Sequence, residues 1–214
     1  MEEQIKRSCI DCAAKNCDCG NKVYPGFCVS QGMDVALVEE SKQTYLNCPE
    51  DLKMMQISAE IEHDFYCQMT RVEETVEWCK RMGAKKIGIA SCVGLLEFSR
   101  IFAKVLRAHG FEVYGISCKA GEIPKTDIGI DKRCEEIGIN MCNPILQAKK
   151  LAEEKTDINV VIGLCVGHDS LFYKYSQAPV TTLVTKDRVL GHNALAALYM
   201  ANTYYENKLF TAKE

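Results

Sequence analysis

From Lys85 onward the chain alternates short apolar runs with amphipathic stretches, and this alternation limits the folds open to it more than any other feature. Ile87 to Ser91 reads as a strand, and Leu95 to His109 as a helix that Gly110 ends. Phe111 to Ser117 is a second strand. Asn143-Pro144 then supplies an N-cap and a first-turn residue for a helix over about 145–154. Asn159 to Leu164 and Val180 to Thr185 are the third and fourth strands, with room for a short crossover between them. A closing helix is expected over about 193–207. The order βαβαββα with apolar strands predicts an α/β fold: a mainly parallel four-stranded sheet flanked by helices in three layers, Rossmann-like or flavodoxin-like.

Two further regions precede this 84–214 domain. Residues 31–83 read as a helical segment. Asp34 to Leu46 is amphipathic, a second helix spans about Glu50 to Phe65, and Thr70 with Glu73 has capping-box spacing ahead of a helix that Gly83 ends. Residues 1–30 are polar, lack periodicity and hold Cys9, Cys12, Cys17, Cys19 and Cys28. Such a segment cannot bury a core and needs a cross-link or metal to become ordered.

The full chain of 214 residues contains 13 cysteines. Its N-terminus lacks the apolar stretch of a secretory signal, and no apolar run approaches the roughly 20 residues that span a bilayer. The expectation is therefore a cytoplasmic protein without a membrane partner, in which clustered cysteines mean metal, redox chemistry or nucleophilic catalysis rather than disulfides. The net charge of −3 argues against nucleic acid as a partner. Oligomeric state is not written in any of these features.

Parallel strands joined by right-handed crossovers all finish at one edge, beyond which ligands bind. The first strand runs into Cys92-Val93-Gly94, the second into Cys118-Lys119-Ala120-Gly121 and the third into Cys165-Val166-Gly167, a weak internal repeat. Cys142 precedes the helix cap and belongs to the same edge. Four thiols distant in sequence are thus expected to converge. Four thiolates suit zinc or an iron–sulfur cluster, and three with an open position suit catalysis. Helix N-termini at that edge favour the thiolate form. His168-Asp169 and His192 lie there as candidate acids, bases or ligands, against the plainer reading that Asp169 and Asn193 cap helices. Lys119, Lys186 and Arg188 are candidates for holding a small anionic substrate, against the plainer reading of solvated cations.

In the N-terminal segment Cys9-x2-Cys12 has the spacing of a metal knuckle, with Cys17 and Cys28 completing a four-sulfur set in which Cys19 could replace Cys17. Cys48, Cys67, Cys79 and Cys134 read as packed residues, Cys67 in a segment that looks buried.

At these motifs the chain resembles a cysteine-rich bacterial and archaeal family of unassigned function that is described as metal-binding. The resemblance runs through Cys9-x2-Cys12-x4-Cys17 with Tyr24-Pro25-Gly26-Phe27-Cys28, Ile89-Ala90-Ser91-Cys92 and Met141-Cys142-Asn143-Pro144. It continues through Gly163-Leu164-Cys165-Val166-Gly167-His168-Asp169-Ser170 and Lys186-Asp187-Arg188-Val189-Leu190-Gly191-His192-Asn193. It implies bound metal and supplies no reaction. Three functions remain open at this level. One is a protein with a structural metal site and a second, functional one at the sheet edge. Another is a metal-free thiol enzyme with Cys165 or Cys92 as nucleophile and His168 or His192 as base. The third is a non-catalytic module that stores or delivers metal or binds a partner.

Overall fold

The structure, a computed structural model, describes residues 5–21 and 23–211. Met1 to Gln4, part of the N-terminal stretch read above, lie outside the described residues. The chain forms two compact units, 1–56 and 57–214.

In the first unit a 3-10 turn at Cys9–Asp11 is followed by α1 (Asn16–Cys19), α2 (Val29–Gly32), α3 (Val35–Asn47) and the start of α4 (Pro49–Asp64). Asp34 caps α3 by accepting from the Ala36 amide at 2.9 Å. Local contacts hold the cysteine-rich stretch: the Cys12 amide donates to the Cys9 carbonyl at 3.2 Å, and the Arg7 guanidinium lies 5.2 Å from the centroid of the Phe27 ring. None of its described residues up to position 30 is buried.

The second unit contains the sheet. After α5 (Arg71–Met82) come β1 (Lys86–Ser91), α6 (Leu96–Ala108), β2 (Glu112–Ser117), α7 (Pro144–Glu153), β3 (Ile158–Ile162), α8 (His168–Tyr175) and β4 (Val180–Val184). The expected capping box is present, with the Thr70 amide donating to Glu73 at 2.8 Å, and Gly83 closes α5 at φ 82°. All pairings are parallel and the strand order is β2-β1-β3-β4. That is the flavodoxin-like arrangement, in which the chain reverses direction across the sheet after β2. Right-handed crossovers therefore put α6 on one face and α7 with α8 on the other. No helix among the described residues is long and apolar enough to cross a membrane.

The central strands β1 and β3 are buried almost throughout, which is why both read as continuous apolar runs. Ile87, Ile89, Val160, Val161 and Ile162 form the middle of a core closed by Leu106, Leu151 and Phe172. The chain departs from expectation after β4. Instead of one closing helix over 193–207 there are two short ones, α9 (Leu195–Tyr199) and α10 (Glu206–Leu209). Between them Thr203 Oγ1 donates to the Met200 carbonyl at 3.3 Å and the Tyr205 amide donates to that same carbonyl at 3.0 Å, so turn bonds replace the helical ladder. Cys67 is exposed at φ 55°, not buried, because the chain turns there between α4 and α5.

Gly88 in β1 leaves room for a buried polar link. Thr156 Oγ1 donates to Asn159 Oδ1 at 2.8 Å, and Asn159 Nδ2 donates to Ser176 Oγ at 2.9 Å. A Cβ on Gly88 would lie 2.1 Å from Asn159 Oδ1 and 3.0 Å from Leu151 Cδ1. Gly88→Ala should therefore lower stability by about 2–3 kcal/mol in chemical denaturation. Gly115→Ala, whose Cβ would meet Ile89 at an ordinary 3.8 Å, should change it by less than about 1 kcal/mol.

Candidate thiolate centre

The parallel ladder does not stop where the strands end. The Cys92 amide donates to the Ile162 carbonyl at 3.0 Å, and the Cys118 amide to the Ser91 carbonyl at 2.8 Å. The Cys118 carbonyl in turn accepts from the Asn143 amide at 2.7 Å, which draws the chain entering α7 back to the end of β2. Beneath this point the wholly buried Gln147 donates through Nε2 to the Ser91 and Ile116 carbonyls, at 3.1 and 2.8 Å. Asn143 caps α7 as its sequence suggests, accepting from the Leu146 amide at 2.9 Å. Cys142, one residue before that cap, is thereby held beside Cys118.

Cys92, Cys118, Cys142 and Cys165 line one cleft of about 650 Å3 at the carboxyl edge of the sheet. Cys118 is central: both Cys142 and Cys92 act on the ionisation of its thiol. The Val93 amide also donates to its sulfur at 3.3 Å. Cys92 is held well below an ordinary thiol by its contact with Cys118, helped by the Gly94 amide and the Lys186 ammonium. Cys142 is lowered by Cys118 and then by His168, whose own pKa is raised by that sulfur. Cys118 is shifted upward, because both neighbours ionise first and burial disfavours a third charge. The three sulfurs titrate as one unit that keeps its last proton on Cys118. By contrast Cys79, wholly buried on α5, is pushed up to about 12 by burial and has the inert character expected of it.

Cys165 lies beyond a bend at Gly163, φ 65°, where a Cβ would be 2.1 Å from Leu95 Cδ1. Its sulfur accepts from Arg188 Nη2 at 3.0 Å, and its carbonyl accepts the His168 amide at 2.9 Å. Arg188 is presented by a tight loop in which Asp187 Oδ1 accepts the Val189 and Leu190 amides, both at 2.8 Å. His192 closes that loop: its Nδ1 accepts from the Asp187 amide at 3.1 Å. His192 does not line the cleft but faces an apolar groove with Leu95, Phe98 and Leu183. Asp169 sits in the first turn of α8 and does not line the cleft either.

Lys119, Lys186 and Arg188 all border the cleft, and Lys119 Nζ donates to the Asn140 carbonyl at 2.5 Å. Lys125, which the sequence does not single out, and Cys134, which reads there as a packed residue, join them. Lys125 is only 7% exposed and donates to the Cys134 carbonyl, and Cys134 itself lines the wall. Both lie in an aperiodic stretch where no pattern points to the sheet edge. No aspartate or glutamate among the described residues lines the cleft.

In the N-terminal unit Cys9 begins the 3-10 turn, Cys17 and Cys19 lie in α1, and Cys28 precedes α2. Cys12 and Cys28 are half-buried and the other three exposed. All 13 cysteines are free thiols. Among the described residues, no three Cys, His, Asp or Glu groups are gathered as they would be around a metal ion.

Residues 28–183 match a family described as "Protein of unknown function (DUF1847)". The match runs from Cys28 to Leu183 and contains all five cysteines that line the cleft. An uncharacterized protein of Methanocaldococcus jannaschii, MJ0455, is 43% identical over 205 residues, covering 96% of this chain and 99% of that protein. On both comparisons the chain belongs to the DUF1847 family of unknown function.

Proposed function

We propose that the cleft at the sheet edge is a thiolate centre that binds a soft metal, as zinc or an iron–sulfur cluster, and acts on a small anionic molecule. The observation that carries this reading is the convergence of Cys92, Cys118, Cys142 and Cys165 on one cleft, where Cys142 and Cys92 both act on the Cys118 thiol. Support comes from the donor set rather than from a finished cage, since the described residues hold no ready-made group of three ligands. Soft sulfur donors select zinc, copper(I) or iron–sulfur clusters over harder ions. Cys92, Cys118 and Cys142 would hold the metal, and Cys165 is the fourth candidate. When bound, zinc would supply a Lewis acid and a cluster would supply one-electron chemistry.

The chain's own residues have separate tasks in this reading. The Val93 and Gly94 amides stabilise negative charge on Cys118 and Cys92. Lys186 and Arg188 offset the charge of the sulfurs and leave cationic surface for an anion. His168 holds a proton next to Cys142. The N-terminal set of Cys9, Cys12, Cys17 and Cys28 is proposed as a separate structural site, on the strength of its knuckle spacing and of a segment that buries no side chain among its described residues. The expected test outcome is metal in protein purified without oxygen, measured by elemental analysis and absorption. Replacing Cys92, Cys118 and Cys142 together by serine should remove at least one equivalent, and Cys9→Ser with Cys12→Ser should remove a different one. Unchanged metal content in the triple variant would refute the sheet-edge centre.

One juxtaposition favours a second reading, metal-free thiol chemistry. His168 and Cys142 line the same cleft and each favours the other's charged form, so the nucleophile of such an enzyme would be Cys142; Cys165 is engaged with Arg188, and Cys92 is acted on by Cys118 and Lys186. A lowered thiol keeps its thiolate as pH falls, whereas a thiol at about 8.5 is only about 0.3% ionised at pH 6. On metal-free protein, iodoacetamide should alkylate Cys142 nearly as fast at pH 6 as at pH 8. His168→Ala, which leaves the larger effect of Cys118 in place, should make the rate fall only partway toward that of an ordinary thiol at the lower pH. A Cys142 rate that falls about a hundredfold over that interval in the unaltered protein would rule this reading out.

A further inference from the structure

The connection from β2 to α7 is longer than a crossover needs, and it roofs the cleft. It is stitched at its base by an antiparallel bridge between Pro124 and Asn140. The Lys125 amide donates to the Ile139 carbonyl at 3.0 Å, and the Met141 amide to the Ile123 carbonyl at 2.8 Å. Beyond this stitch the loop makes two 3-10 turns, Lys125–Ile128 and Lys132–Ile137, the second capped by Asp131. A loop closed at its neck and folded on itself is typical of functional Ω-type loops.

Its composition is unusual for a surface loop. Ile128 and Ile137 line the cleft yet are 58% and 85% exposed. Ile130, Met141, Ile145 of α7 and Leu171 of α8 continue the same apolar wall. The sulfurs, Lys119, Lys186, Arg188 and His168 lie at its other end, and Lys125 adds a cation that is nearly excluded from solvent. The cleft thus joins a cationic end that contains no carboxylate among the described residues to an aliphatic end that water leaves poorly satisfied. Its volume of about 650 Å3 is that of a pocket for a small organic molecule.

We infer that the cleft binds an amphiphilic organic anion, a carboxylate with an aliphatic body, its head among Lys119, Lys186 and Arg188 and its chain beneath the isoleucines of the 124–140 loop. The inference deepens the proposed small-anion site and names its substrate class; it does not need the metal. A single charge fits better than a phosphate dianion, because Arg188 already donates to Cys165, Lys125 to the Cys134 carbonyl and Lys119 to the Asn140 carbonyl.

Titration calorimetry on the full chain, with its metal content measured, tests this with octanoate, acetate and 1-octanol as probes. Octanoate should bind at least about tenfold more tightly than either, since acetate lacks the chain and octanol the charge. Ile128→Ser combined with Ile137→Ser, both at exposed positions that the fold does not depend on, should weaken octanoate about tenfold and leave acetate unchanged. Equal affinity for octanoate and acetate, or a double variant that binds octanoate as before, overturns the inference. If the triple cysteine variant loses metal normally while octanoate fails to bind, only the substrate class falls. If octanoate binds but no metal is found, the metal reading falls and this one stands.

Discussion

Three main-chain hydrogen bonds beyond the strand ends hold the rest of the cleft in place: Cys92 to Ile162, Cys118 to Ser91 and Asn143 to Cys118. The first two continue the parallel ladder by one step past the regular sheet. A parallel ladder carries all its strands in one direction, so the residues just after β1 and β2 emerge side by side. The third bond folds the distant start of α7 onto the same point. Gln147 strengthens the junction by donating from α7 to carbonyls of both strands. Without these bonds Cys92, Cys118 and Cys142 would be three unrelated small residues.

Bringing ionisable sulfurs together under cover carries an electrostatic cost, and the surroundings are built to offset it. Cys92 and Cys118 are 8% and 2% exposed. Around them stand amide donors from Val93 and Gly94, the ammonium of Lys186 and, at the neighbouring sulfurs, His168 and Arg188. The result is uneven charge across one short row, with Cys92 and Cys142 favoured as thiolates and Cys118 as the thiol. The same cations that steady the sulfurs give the open side of the cleft its affinity for negative charge. The roofing loop adds the apolar surface that a sulfur centre by itself would not require.

Most of the secondary structure was legible because its signals are local. Thr70 and Glu73 announce the start of α5, Gly83 its end, and Asn143-Pro144 the start of α7, each through bonds within a few residues. The closing helix was not legible: an apolar period runs through 193–207, but turn bonds around Met200 and Thr203 divide it. Its apolar neighbour makes Cys67 look buried, but the turn it occupies exposes it. His192 looked like part of the centre, yet it faces the other side of its loop and works by shaping the turn that presents Arg188.

By itself the sequence determined the alternating strands and helices, their parallel class and the placement of a cysteine after each of three strands, because periodicity and caps are properties of neighbouring residues. Only the tertiary structure decided the order β2-β1-β3-β4, the meeting of His168 and Cys142 in one cleft and the entry of Lys125, Cys134 and the loop isoleucines into it. These depend on which distant segments meet. That is settled by how the sheet is ordered and how a long aperiodic loop folds back over its edge, and no local pattern encodes it.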